Sequence, residues 1–262
     1  MKAAPCAASP TRLEGAGQPA RQARPRRRGH SAALRLEALA VVVLFALLAL
    51  VVPPVLSGEP GPAASAPATR AAALQQLDSP DAGRRLAAVE RLAELGTMAD
   101  VQRLVRALRD ASAPVRDAAS TALWAVWSRS GDAATDRRLA EGTRLMSEGE
   151  FGPALALFDR IVRERPAFAE GWNKRATVLF LMGRDDESLR DCDEVLKRNP
   201  HHFGALSGMA QIHLRRDDPE QALKAYERAL EVNPNLRDGP LVLRMLEEAA
   251  RERRRAGGGR ST

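Results

Sequence analysis

Apolar positions recur at helical spacing over most of the chain. Val101, Leu104, Val105 and Leu108 fall at i, i+3, i+4 and i+7, and Val242, Met245, Leu246 and Ala249 repeat that spacing near the C-terminus; each set predicts an amphipathic helix. Between them Pro166, Pro200 and Pro234 close helical segments at a constant interval of 34 residues. Superposing residues 135–168, 169–202 and 203–236 brings small residues into register at Gly142, Ala176 and Ala210, and again at Ala154, Ser188 and Ala222. Phe158, Cys192 and Tyr226 align at a further position, and Ile161, Val195 and Ala229 at another. Small residues at fixed positions let helix backbones approach, and large ones fill the space between. Gly149-Glu150-Phe151-Gly152, Gly183-Arg184-Asp185-Asp186 and Asp217-Asp218-Pro219 supply a turn inside each unit.

Three 34-residue units with this pattern, with Trp172 in the second, resemble tetratricopeptide repeats. The resemblance implies an all-α solenoid of stacked antiparallel helix pairs with a concave peptide-binding groove. It also implies a groove lined by the first helix of each unit. Carried over, the lining is Leu139, Thr143 and Met146; then Glu170, Asn173, Thr177, Phe180 and Leu181; then Ser207, Gln211, Leu214 and Arg215. Some members clamp a C-terminal carboxylate with Lys and Asn on these helices. Here Leu139 and Thr143 stand at the corresponding places of the first unit, so that clamp is absent and chaperone tails are not the expected ligand. Asn173, Thr177, Phe180, Gln211, Leu214 and Arg215 are the candidate groove residues, with Asn173 and Gln211 bonding a peptide backbone and Phe180 as apolar anchor. Residues 238–252 form the expected capping helix, begun by Pro240 in its first turn, and 253–262 an Arg- and Gly-rich disordered tail. Trp172 to Thr177 and His202 to Gly208 also resemble uncharacterised membrane-anchored or exported proteobacterial tetratricopeptide proteins.

A second, weaker repeat precedes these. Residues 77–92 overlay 108–123 at an offset of 31, pairing Arg85 with Arg116, Ala87-Ala88 with Ala118-Ala119, and Leu92 with Leu123. Residues 71–130 therefore resemble HEAT-like repeats of the short bacterial kind. Trp124 and Trp127, one turn apart, are expected to pack the last of these helices against the first tetratricopeptide helix.

One stretch escapes any amphipathic pattern. Ala38 to Val52 holds fifteen residues with no polar side chain and continues past Pro53-Pro54 to Leu56. The chain has 262 residues, 45% apolar, 28% charged and 4% aromatic, with a net charge of +7. Six of those net charges fall in the basic head 1–37, ahead of the apolar run, and the remainder is nearly neutral. A basic head before an apolar segment is an export signal that keeps the head cytoplasmic. We read 38–56 as an uncleaved transmembrane anchor of the bacterial inner membrane, with the repeats in the periplasm; a cleaved signal releasing a soluble periplasmic protein is the alternative. Residues 57–70, Pro- and Ala-rich, form a spacer. Cys6 lies in the head and Cys192 stands alone beyond it, which leaves no disulfide within the exported part.

Placed by segment, the charge is a topology signal, and no nucleic-acid partner is expected; Arg253-Arg254-Arg255 shares its segment with Glu247, Glu248 and Glu252. No Gly-rich phosphate loop, His-Glu-x-x-His, Gly-x-Ser-x-Gly or Cys-x-x-Cys occurs. Cys192, His201, His202 and His213 are of ligand type, but their places in a core, a loop and a helix do not predict convergence on zinc. The expectation is a noncatalytic scaffold without cofactor, metal or small-molecule substrate, binding a peptide or helix of another protein. An assembly factor for an envelope enzyme complex, of the cytochrome-maturation kind, is the alternative, and an enzyme with a site at the junction of the two repeat types the further one.

Overall fold

The computed structural model describes residues 67–258. The basic head, the apolar run 38–56 and most of the spacer lie outside the described residues. Among the described residues no helix is long and apolar enough to cross a membrane.

Eleven α-helices and no strand are found among the described residues. Four form an N-terminal unit: α1 (Arg70–Gln76), α2 (Ala82–Leu95), α3 (Val101–Ala107) and α4 (Ala113–Trp127), with a 3-10 turn at Met98–Asp100. Three antiparallel pairs follow: α5 (Ala133–Ser147) with α6 (Phe151–Glu164), α7 (Ala169–Leu181) with α8 (Asp185–Arg198), and α9 (Phe203–Arg215) with α10 (Pro219–Val232). The last helix, α11 (Gly239–Gly258), packs on α10 and runs beyond the boundary at 252 that the sequence pattern suggests.

Local sequence explains where these helices start. Thr69, Asp81, Asp132 and Asp218 cap α1, α2, α5 and α10, their side-chain oxygens accepting from the backbone N–H three residues on. Pro114 and Pro219 occupy first turns, where a missing N–H is harmless. Inside the three pairs a left-handed residue recurs at each turn: Gly149 (φ 82°), Gly183 (φ 75°) and Asp217 (φ 56°), 34 residues apart. The 34-residue register is thus present in the backbone as well as in the sequence. Gly142 marks close approach: a Cβ there would lie 2.6 Å from Cε1 of the buried Phe158.

In the N-terminal unit the two aligned arginines do the same work. Arg85 donates from Nη1 to the carbonyls of Ser79 and Pro80, and Arg116 from Nη1 to those of Asp110 and Ala111, the carbonyls six and five residues back in both cases. Arg85 also makes a bidentate pair with Asp110 (2.7 and 2.8 Å), tying the first unit to the second. That guanidinium holds the Asp110 carboxyl below the usual carboxylate range. Arg116 has no third unit to bind and instead donates from Nε to Asn235 Oδ1 (3.1 Å), which lies after α10.

That substitution reveals where the unit docks. Its core, built on Leu92, Leu104, Leu108, Leu123 and Trp127, continues directly into Phe203, Leu206 and Ala229, with Val232 and Leu236 against it. Asn235 donates to the Leu108 carbonyl (2.6 Å), Arg109 to the carbonyls of Glu231 and Val232, and Asn233 to the Ser120 hydroxyl (3.4 Å). Trp124 lies edge-on to Phe203 at 5.4 Å, and Trp127 is tilted on it at 5.0 Å. The tryptophans therefore pack against the third pair, correcting the expectation that they meet the first. The reason is that α9 opens with an aromatic and a glycine: a side chain at Gly204 would collide with the Trp124 ring.

Candidate functional site

The first helices of the three pairs, α5, α7 and α9, lie side by side, and the residues proposed as a groove lie on them. Each has a definite engagement. Asn173 is buried, and its amide donates to both carboxylate oxygens of Glu170 (3.3 and 3.2 Å). The Thr177 hydroxyl, half-buried, donates to the Asn173 carbonyl (2.9 Å). Leu214 is buried in a cluster with Ala222, Tyr226, Val242 and Leu246, where α11 closes the end of the stack. Gln211 and Ser207 are buried to a similar degree as Asn173. Phe180 is half-buried beneath Arg215, whose guanidinium stands 3.8 Å over the ring and donates to the Phe180 carbonyl and the Asp185 carboxylate. The accessible part of this lining is accordingly toward the C-termini of α5, α7 and α9: Thr143, Met146, Thr177, Phe180 and Leu181, half-buried, and the exposed Arg215.

At the opposite end of the same helices sits a network that sequence reasoning did not find. Glu170 and His202 are both completely buried. His202 Nδ1 accepts from the Ala205 N–H (3.0 Å), capping α9, which leaves the Nε2 proton to donate to Glu170 (3.0 Å). Lys174 Nζ lies 3.5 Å from the other Glu170 oxygen. Burial alone would push the Glu170 carboxyl up. The Lys174 charge, together with the His202 and Asn173 donors, outweighs it and holds the group below the ordinary carboxylate range. Trp127 stacks on His202 (centroids 4.4 Å, 23° between planes), and Trp124 meets it edge-on at 5.3 Å. Three blocks meet here: α4, the start of α7 and the start of α9. The His201-His202 pair had signalled only a loop, and nothing short of the tertiary fold reveals that one imidazole caps a helix between two indoles.

This network has the composition of an acid–base dyad and lacks the access one needs, since neither group reaches solvent. The hollows on the surface lie elsewhere. One of about 310 Å³ is walled by Asp159, Arg175, Arg184, Glu187, Arg190 and Asp191. There Arg175 forms a bidentate pair with Asp191 (2.7 Å twice) and a further bond to Asp159 (2.9 Å), so the walls are largely self-neutralised. Burial still pushes the Asp191 carboxyl up despite Arg175. Among the described residues no group of three or more His, Cys, Asp or Glu is placed to hold a metal ion. Cys192 packs in a core with Ala176 and Ile212, its thiol pushed up to about 12 by burial.

Comparison with known proteins bears on the same helices. Residues 168–235, from the loop before α7 to the loop after α10, match the tetratricopeptide repeat family. Helices α7 to α10 are thus similar to tetratricopeptide repeats along their whole length. The pair α5–α6 shares their turn geometry and 34-residue spacing. A TPR repeat-containing protein of Rhizobium etli is 37% identical over 122 residues, covering 47% of this chain and 60% of that protein. The small glutamine-rich tetratricopeptide repeat-containing protein of Dictyostelium discoideum is 26% identical over 95 residues, covering 36% of this chain and 28% of that one. The chain thus spans less than two thirds of the length of these relatives, 60% of the first and 28% of the second. Among solved structures, the Sgt2 TPR domain from Aspergillus fumigatus covers 50% of this chain and 86% of its own, with 23% identity and a TM-score of 0.44.

Proposed function

We propose that the protein is a noncatalytic scaffold whose tetratricopeptide repeats take up a peptide or helix of another protein. The observation that carries this reading is the disposition of α5, α7 and α9, side by side, with the half-buried Met146, Thr177 and Phe180 and the exposed Arg215 toward one end. A ligand would enter at that end. Phe180 supplies apolar contact and Arg215, already bonded to Asp185, a fixed rim. Asn173 serves a different purpose from the one its position suggests. Its amide is committed to Glu170, so it would orient the repeats and leave backbone recognition to Thr177 and Arg215.

In this proposal the N-terminal unit, read as two HEAT-like repeats, braces the stack, and residues 38–56 tether it to the bacterial inner membrane with the repeats on the periplasmic side. The basic head 1–37 is the support for that orientation. The test is photo-crosslinking in intact cells from position 180 and, as a control, from the exposed Lys224 on α10. The expected result is a discrete envelope protein captured from position 180 and not from 224. No capture from position 180, or the same capture from both, would remove the groove from the proposal.

A further inference from the structure

Four large apolar side chains are exposed among the described residues, Leu95, Met98, Met182 and Leu241, and two of them share one corner. Leu95 (38% exposed) ends α2, and Met98 (47%) begins the 3-10 turn that leads into α3. From that turn onward the chain has two sides. Val101, Leu104 and Leu108 are buried, whereas Met98, Ala99, Gln102, Arg103 and Arg106 are exposed. Asp100 is the sole carboxylate between Thr97 and Arg109, and it points inward: it is 2% exposed and held bidentately by Arg70 (2.7 and 2.6 Å). The outer side is therefore apolar at its start and cationic at its end, with no acid of its own to neutralise Arg103 and Arg106. The nearby Glu94 is already paired with Arg91.

The described chain also begins at this corner. Arg91 donates to the Ala68 carbonyl (3.1 Å), and Arg70 reaches Asp100, two residues beyond Met98. Residues 57–66 are all that separates this point from the apolar run 38–56. Ten residues span at most about 35 Å fully extended. Whatever holds the apolar run therefore holds this corner close to it.

We infer that the face formed by Leu95, Met98, Arg103 and Arg106 rests on an anionic lipid surface, the two apolar side chains entering the headgroup boundary and the two arginines meeting lipid phosphates. The inference rests on reading 38–56 as a membrane anchor. It adds that the folded body has a defined lipid-facing side, with the repeats held in one orientation above it.

The test uses the full chain with Cys6→Ser and one introduced cysteine, Met98→Cys or Met182→Cys, carrying an environment-sensitive fluorophore. Cys192 stays unlabelled because it is buried in the core. The chain is reconstituted into phosphatidylcholine vesicles with and without phosphatidylglycerol, containing lipid quenchers near the headgroup. The expected result is several-fold stronger quenching at position 98 than at 182 in the anionic vesicles, lost when Arg103→Glu and Arg106→Glu are combined. Co-flotation with vesicles but equal quenching at the two positions overturns the inference and leaves the anchor standing. Failure to co-float overturns the anchor and the inference together. Equal quenching at position 98 with and without phosphatidylglycerol overturns the assignment to anionic lipid.

Discussion

Replacing His202 tests whether the buried network joins the N-terminal unit to the repeats. His202→Ala removes three interactions at once. The Ala205 N–H loses its cap, worth about 1 kcal/mol. Glu170 loses the Nε2 donor in a site with no solvent, costing about 1–3 kcal/mol for a buried group left short of partners. The imidazole leaves the face of Trp127, forfeiting about 0.5–1.5 kcal/mol of ring contact. Together the expected loss is about 2–5 kcal/mol, since such contributions overlap. His202→Asn separates the components: asparagine caps as well as any residue but is too short to reach Glu170, so it should recover about 1 kcal/mol of that loss. Urea unfolding followed by far-ultraviolet circular dichroism and by tryptophan fluorescence measures both variants, with an unchanged m-value confirming a stability effect. The pH dependence supplies an independent check. The Glu170 carboxyl is depressed in the folded state, so its contribution is full above its unfolded range and is lost as pH falls through its folded value. Removing the His202 donor raises that folded value, and the acid limb of the stability curve should move to higher pH. A loss below about 1 kcal/mol for His202→Ala, with an unmoved acid limb, would refute the network as a structural joint.

Other perturbations probe separate claims. Ala222→Leu places a larger side chain at a fully buried helix contact and should cost about 1–3 kcal/mol in thermal or urea unfolding; wild-type stability would disprove the register of the third repeat. Asn235→Ala removes the donor to the Leu108 carbonyl and the acceptor for Arg116, with an expected loss of about 1–2 kcal/mol that should shrink but persist when Arg116 is already alanine, because the bond to the buried Leu108 carbonyl remains. Cys192, buried and with its thiol pushed up to about 12, should resist a disulfide reagent at neutral pH in the native protein and react at once in urea.

The repeats were legible because their signal is local and periodic. Gly142 against Phe158, the buried Ala222 and the left-handed Gly149 and Gly183 each satisfy a constraint set within one helix pair, and each stands at its 34-residue interval. The docking of the N-terminal unit left no such trace. Trp124 and Trp127 announce burial by their size, but nothing in their spacing names Phe203 as the partner. The groove residues show the same limit. Asn173 has the residue type a peptide backbone would need, and the side chain that claims it, Glu170, stands three residues earlier on the same helix. Composition and spacing predict where a helix goes; they do not predict which of several polar groups will satisfy one another inside.

The seam between Leu108 and Asn235 joins positions 127 residues apart in the chain. Ordinary repeat arrays are open-ended, each unit touching only its neighbours, so evolution can lengthen or shorten them one unit at a time. Here the first block of helices returns to the last pair and closes a loop around the units between. Inserting or deleting one repeat would carry His202 and Asn235 out of reach of Trp127 and Leu108 together. The number of repeats is thereby locked, and folding cannot finish by zipping from one end: it must wait for a long-range closure.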